Sequence, residues 1–216
     1  MPSIDRYRSY AELRENERED IDFRIFVIDR AASVAVIAPH GGKIEPGTSE
    51  IARAIAGTSY SLYCFEGLRR RPHRDLHITS TNFDEPRCQE LIKAHDFIVS
   101  VHGMSSDHEA IDVGGRDIEL RDGICQELNE AGFPTAIVTT GAHAAINEAN
   151  VCNRGRRRSG AQLEITRSLR DTLTRDSKNL RLLLFADAVR RALVCRKDIT
   201  FPSGRGTHTQ TRMIES

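Results

Sequence analysis

The chain has no tryptophan, and aromatic residues make up only 6% of its 216 positions. With no helix-turn-helix or zinc-finger spacing either, it lacks the usual equipment for reading nucleic acid. No apolar run approaches the roughly 20 residues that would cross a bilayer. Residues 1–20 are polar and charged, with no apolar signal segment, so the expectation is cytoplasmic synthesis without membrane attachment. The cysteines (Cys64, Cys88, Cys125, Cys152, Cys195) are odd in number, widely spaced and free of any C-x-x-C pair. That argues against a disulfide framework or a cysteine zinc knuckle. A one-sided charge is missing too: Lys+Arg and Asp+Glu both number 31, so net charge points to no partner.

What is present reads as one globular unit with additions at each end. A charged arm or helix is expected over 1–20, a single domain over 21–196, and a polar, disordered tail over 197–216. Apolar β-branched runs predict strands at 23–28, 34–38, 60–65, 76–79, 97–101, 135–139 and 161–166, with an edge strand at 110–113. Helices are expected after the N-cap candidates Thr48 and Ser49, over 85–94, over 116–131, and over 179–195 with Leu180, Leu183, Leu184, Ala188 and Val189 inward. Strands alternating with helices give an α/β three-layer sandwich, and several short connections make its sheet mixed, though mostly parallel.

The chemistry gathers where apolar runs end. Residues 34–39 stop at His40-Gly41-Gly42 and residues 97–101 stop at His102-Gly103. Open parallel sheets collect ligands at the carboxyl ends of their strands. Two His and one carboxylate, with a position left to water, are a common catalytic zinc set, and Glu45 follows His40 across a loop rich in glycine. Glu50 competes for the ligand role, as do His108 and Glu109 in the polar stretch after His102. His143 is a candidate supporting residue, and Pro72 argues against a helical metal pair of His73 and His77. Glu164 alternates with Leu163 and Ile165, which presents an acid on one face of a strand whose other face is apolar. It is the candidate general base, with Glu66 next in line. Basic residues cluster at Arg69, Arg70, Arg71 and Arg74, and again at Arg154, Arg156, Arg157 and Arg158. The second cluster would suit a polyanion.

These motifs, in order, resemble one family. His40-Gly-Gly-Lys-Ile-Glu45-Pro-Gly-Thr-Ser-Glu50, Tyr63-Cys-Phe-Glu66-Gly67, Leu76-His-Ile-Thr-Ser80 and Asn82-Phe-Asp84 are similar to segments of the poly-γ-glutamate hydrolases. So are Val101-His102-Gly103, Val113-Gly-Gly-Arg116-Asp117, Asn150-Val-Cys-Asn153-Arg154 and Gln162-Leu-Glu164. The resemblance implies a fold like that of the zinc carboxypeptidases. It also implies one zinc per chain on His40, Glu45 and His102, with Glu164 as general acid–base. Asn153-Arg154 resembles a pair that receives a substrate carboxylate. The family includes phage enzymes, so release by lysis is an expectation for a phage-encoded member.

The reading is therefore a zinc amidohydrolase cleaving γ-glutamyl amides of poly-γ-glutamate. Arg116, Asn153 and Arg154 would meet substrate carboxylates or the oxyanion. A small-molecule deacylase of the desuccinylase or aspartoacylase kind is the alternative enzyme. A DNA-binding phage replication accessory protein is the alternative from another class.

Overall fold

The computed structural model describes residues 5–69, 74–176 and 179–198. Seven strands form one sheet: β1 (Phe23–Ile28), β2 (Val34–Gly42), β3 (Ser61–Gly67), β4 (Phe97–Met104), β5 (Ile111–Gly115), β6 (Thr135–Ile137) and β7 (Ala161–Thr166). Their spatial order is β1-β3-β2-β4-β7-β5-β6. β3, β2, β4 and β7 run parallel, β6 runs parallel to β5, and the two antiparallel pairs are β1 with β3 and β5 with β7.

Alternation along the strands divides the core between two helical layers. Val34, Val36 and Ala38, with Val99, Val101, Leu163 and Ile165, face one side. There they pack on α2 (Thr48–Ala56), α4 (Ile118–Glu130), α5 (Arg167–Thr174) and α6 (Leu180–Asp198). Ala35, Ile37, Tyr63, Phe65 and Ile98 face the other side, against α1 (Tyr10–Asn16) and α3 (Pro86–Lys93). The result is the expected mixed, mostly parallel three-layer sandwich. Among the described residues, no helix is long and apolar enough to cross a membrane.

The arm packs onto this body. Tyr7, Tyr10 and Leu13 are buried in the second core cluster, and the Tyr10 N–H donates to Asp84 Oδ1 at 2.6 Å. Of the expected tail, residues 197 and 198 close α6, and residues 199–216 lie outside the described residues. Of the first basic cluster, Arg70 and Arg71 do too.

Several local expectations change. Residues 76–79 are not a strand: a short 3₁₀ turn (Arg74–Leu76) leads into extended chain, whose backbone groups bond side chains rather than a ladder. β5 is not at the edge; β6 is. β7, which carries Glu164, is central, between β4 and β5. Gly47, at φ 96°, is the N-cap of α2, and Thr48 and Ser49 belong to its first turn. In α6, Ala188 and Val189 are buried as expected, but Leu180, Leu183 and Leu184 are exposed, and Leu182, Phe185 and Ala186 are buried in their place. The short helix α5 has no sequence forecast, because only Leu169 and Leu173 are apolar on its inner face and the residue beside them is Arg170.

Candidate metal centre

β2 carries His40 to the end of the sheet, and its pairing with β3 slips between Ala38 and Gly41. Gly42 then takes φ 63°, a turn that a side chain resists. The loop closes as the Glu45 N–H donates to His40 O at 2.8 Å and Thr48 Oγ1 donates to Glu45 O at 2.9 Å. Glu45 is thereby folded back beside His40. From β4, next to β2, His102 projects from the same face as Ile98 and Ser100.

Three donor groups meet at this point. His40 Nδ1 and His102 Nδ1 are 3.1 Å apart. Glu45 Oε1 is 3.3 Å from His40 Nδ1, and Glu45 Oε2 is 3.9 Å from His102 Nδ1. Ligand bonds of 2.0–2.1 Å in a tetrahedron place donor atoms about 3.3 Å apart. The far nitrogens are occupied: His40 Nε2 donates to Ile78 O at 2.8 Å, and His102 Nε2 lies 2.7 Å from Ser100 Oγ. Such outer bonds fix ring orientation in metal sites. A carbonyl only accepts, so the His40 proton is on Nε2 and its Nδ1 lone pair faces inward. Two buried ring nitrogens at this distance need a proton or a cation between them. The adjacent carboxylate stabilises either, and two imidazoles with one carboxylate are a donor set that fits zinc.

Burial disfavours a charged His40, but Glu45 outweighs it and raises the His40 pKa, so a proton or a cation is held among these three groups. Burial works against the Glu45 carboxylate, yet His40, His102 and His77 hold its pKa down at about 2. Burial, then the charge of His40, pushes His102 down to about 3, so it stays a neutral donor.

Glu164 sits across from His102 in the β4–β7 register, and Asp112 sits across from Glu164 in the β7–β5 register. The row His102–Glu164–Asp112 crosses three strands on one face. Burial raises the Glu164 pKa well above the usual carboxylate range, and the charges of Glu45 and Asp112 add to the rise. Gln162 Nε2 donates to Glu164 Oε1 at 2.9 Å, and Asn150 Nδ2 donates to Gln162 Oε1 at 3.0 Å. The base candidate is held in place by this chain of amides. Glu66 is taken up by Arg24 and Arg53, at 2.6 and 2.8 Å.

His40, Glu45, His102 and Glu164 line one cleft of about 570 Å³, together with His77 and His143. His143 Nδ1 is 2.7 Å from Asp112 Oδ2. Neither Arg nor Lys is among the lining residues described. Arg116 reaches the rim: it pairs with Glu148 at 3.0 Å and bonds the carbonyl of Ile146, which does line the cleft. Asn153 and Arg154 are placed elsewhere. The Asn153 amide donates to Ala145 O and Asn147 O and accepts from the Gly160 N–H. Arg154 donates to the carbonyls of Thr81, Phe83 and Ala149. Arg157 lies over the Phe97 ring at 4.8 Å, at the start of β4. His102 is five residues further on, about 16 Å away at strand rise. Glu50 is exposed on α2, Glu109 pairs with Arg181, and His108 is exposed beside Ser106; none of the three lines the cleft.

Two residues of the site escape the sequence reading: His77 enters it only as half of a helical pair with His73, which lies outside the described residues, and Arg170 is not singled out. His77 lies in the cleft, partnered by Asp5 from 72 residues away. Arg170 is buried, and its guanidinium donates to Ile165 O at 3.0 Å, to Met104 O at 3.3 Å and to Pro46 O. It ties together the segments that carry Glu164, His102 and Glu45.

A family model described as poly-γ-glutamate hydrolase matches residues 7–182. The chain belongs to that family. It is 41% identical over 182 residues to the SPbeta prophage-derived UPF0714 protein YoqZ of Bacillus subtilis (strain 168), a match covering 82% of this chain and 66% of that protein. Identity to YndL of the same organism is 36% over 170 residues, or 78% of this chain and 67% of YndL. The chain thus spans about two thirds of the length of these relatives. A bacteriophage poly-γ-glutamate hydrolase structure superposes with a TM-score of 0.86 at 31% identity, covering 91% of this chain and all of that one. A zinc-free YndL structure gives 0.84 at 33% identity, covering 92% of this chain and all of that one.

Proposed function

We propose that this family member is a zinc-dependent amidohydrolase that cleaves γ-glutamyl amide bonds of poly-γ-glutamate. The observation that carries the reading is the convergence of His40 Nδ1, His102 Nδ1 and the Glu45 carboxylate within 3.1–3.9 Å, with Glu164 on the next strand of the same cleft. The bacteriophage hydrolase and the zinc-free YndL structure supply the substrate class and the metal by similarity.

His40, Glu45 and His102 would hold the zinc, which when bound activates water at neutral pH and polarises a carbonyl. Glu164 takes the proton of the attacking water and returns it to the leaving amine. Gln162 keeps the carboxylate aimed. Every γ-linked glutamate exposes an α-carboxylate. In this cleft Arg116 at the rim is the cation placed to meet it, and His143, oriented by Asp112, would do so as the imidazolium. Asn153 and Arg154 support the loop beneath these groups. Incubating the purified protein with poly-γ-glutamate, with and without a chelator, tests the reading. Shortened polymer only without chelator is expected, and intact polymer in both would overturn it.

A further inference from the structure

The residues just assigned leave one cleft histidine without a task. His77 Nδ1 lies 2.6 Å from Asp5 Oδ1, and Asp5 Oδ2 accepts the Thr79 N–H at 2.6 Å. An ionised carboxylate only accepts, so the His77 proton is on Nδ1 and its Nε2 carries a bare lone pair. That nitrogen is the His77 atom next to Glu45. His77 Nε2 is 3.9 Å from Glu45 Oε1, and the donor atoms of His77, His40 and Glu45 all lie within 4.8 Å of one another. The His77 and His40 rings are 4.0 Å apart at their centroids and tilted by 35°. A nitrogen lone pair directed at a carboxylate oxygen is repulsive unless a cation stands near both.

We propose that His77 is a fourth, displaceable protein ligand of the metal and that Asp5 orients it, so the N-terminal arm takes part in holding the ion. A carboxylate–histidine pair is the usual means of fixing the tautomer and raising the basicity of a metal-binding imidazole. His77 is the ligand freest to give way, because its side chain is 29% exposed against 2% for His40 and 3% for His102. Zinc tolerates a fifth donor in such sites, so His77 can share the ion with water or give way to it. The arm is firm enough to aim Asp5. Tyr7 and Tyr10 are buried, and Arg6 pairs with Asp75 at 3.3 Å. The segment matched to the family starts at residue 7, which leaves Asp5 outside it.

The inference rests on the metal reading of the site, and the test separates the two. Metal-free full-length protein is titrated with Zn²⁺ against a chromophoric chelator, and with Co²⁺ while the visible spectrum is recorded. Parent, Asp5→Ala and His77→Gln are compared, with thermal unfolding of each metal-free form as the control for folding. Asp5→Ala should weaken zinc binding by about 10- to 100-fold, the range for loss of an outer partner. His77→Gln should weaken it at least as much and change the Co²⁺ spectrum. Parent-like affinity and an unchanged spectrum in His77→Gln would overturn the proposal. So would lost turnover with metal binding intact, which would place His77 on the substrate. A parent chain that binds no metal would overturn the metal reading itself.

Discussion

His102 and Glu164 are direct cross-strand partners on β4 and β7. One residue binds metal and the other moves protons in the proposed mechanism, and the pairing fixes their separation through the sheet ladder. A slip of one residue would turn Glu164 into the apolar face with Leu163 and Ile165. The geometry of the site is thus a property of the strand register.

Metal content is the most direct measurement. The purified chain should bind about one equivalent of zinc, as expected of a single site with water completing the shell. His40→Ala and His102→Ala should each lose metal and activity together. Elemental analysis of the parent after zinc loading gives the answer; no retained metal would remove the proposal.

Glu164→Gln separates proton transfer from metal binding. The amide keeps the shape and can still accept from Gln162, but it cannot take a proton from water. Turnover should drop by ~10²-fold or more while zinc content stays at the parent level.

The pH profile offers an independent view of the same carboxylate. Burial, Glu45 and Asp112 raise the Glu164 pKa. Only the ionised form accepts the proton, so activity is lost as pH falls through the folded-state pKa. Asp112→Asn removes one raising charge, and the acid limb of kcat/KM should move to lower pH. An unmoved limb would show that a different group titrates there.

Arg154 should behave as a structural residue. Its hydrogen bonds to the carbonyls of Thr81, Phe83 and Ala149 secure the loop under the cleft. Arg154→Ala should cost about 2–3 kcal/mol, from charge-assisted hydrogen bonds at roughly 1.5–3 each with partial replacement by water. That corresponds to a Tm lower by about 5–10 °C in a chain of this size. Zinc titration of the variant at low temperature should match the parent.

The basic loop gives a comparison of substrates. Arg157 is at the start of β4, away from the cleft. Replacing Arg156, Arg157 and Arg158 by Ala should therefore leave the ratio of activities on long polymer and γ-glutamyl dipeptide unchanged. Arg116→Ala, at the rim, should raise KM on the polymer. A selective loss on long chains in the triple variant would mean that substrate extends over that end of the sheet.

The sheet was legible in the sequence because its central strands are β-branched and apolar, and because two of them end in His-Gly. Glu164 was legible from its alternation with Leu163 and Ile165. His77 and Asp5 were not, since no spacing rule connects residues 72 apart, and the polar run after Pro72 imitates a loop followed by a strand. The basic cluster misled because chain proximity to Glu164 was read as spatial proximity. Residues 154–158 precede β7, and Arg157 packs at the start of β4, whereas Gln162 and Glu164 meet the cleft further along β7. Exposure of Leu180, Leu183 and Leu184 shows a similar limit: α6 has apolar residues on more than one side, so spacing alone does not choose the inward face.

Arg170 has a consequence for how pieces of this chain would behave. A fragment ending at residue 166 contains His40, Glu45, His77, His102 and Glu164, yet it lacks the guanidinium that spans Pro46, Met104 and Ile165. Such a fragment would possess every chemical group of the site and no common anchor for the three segments that present them. The chemistry of this protein is therefore indivisible from a helix that contributes no atom to it.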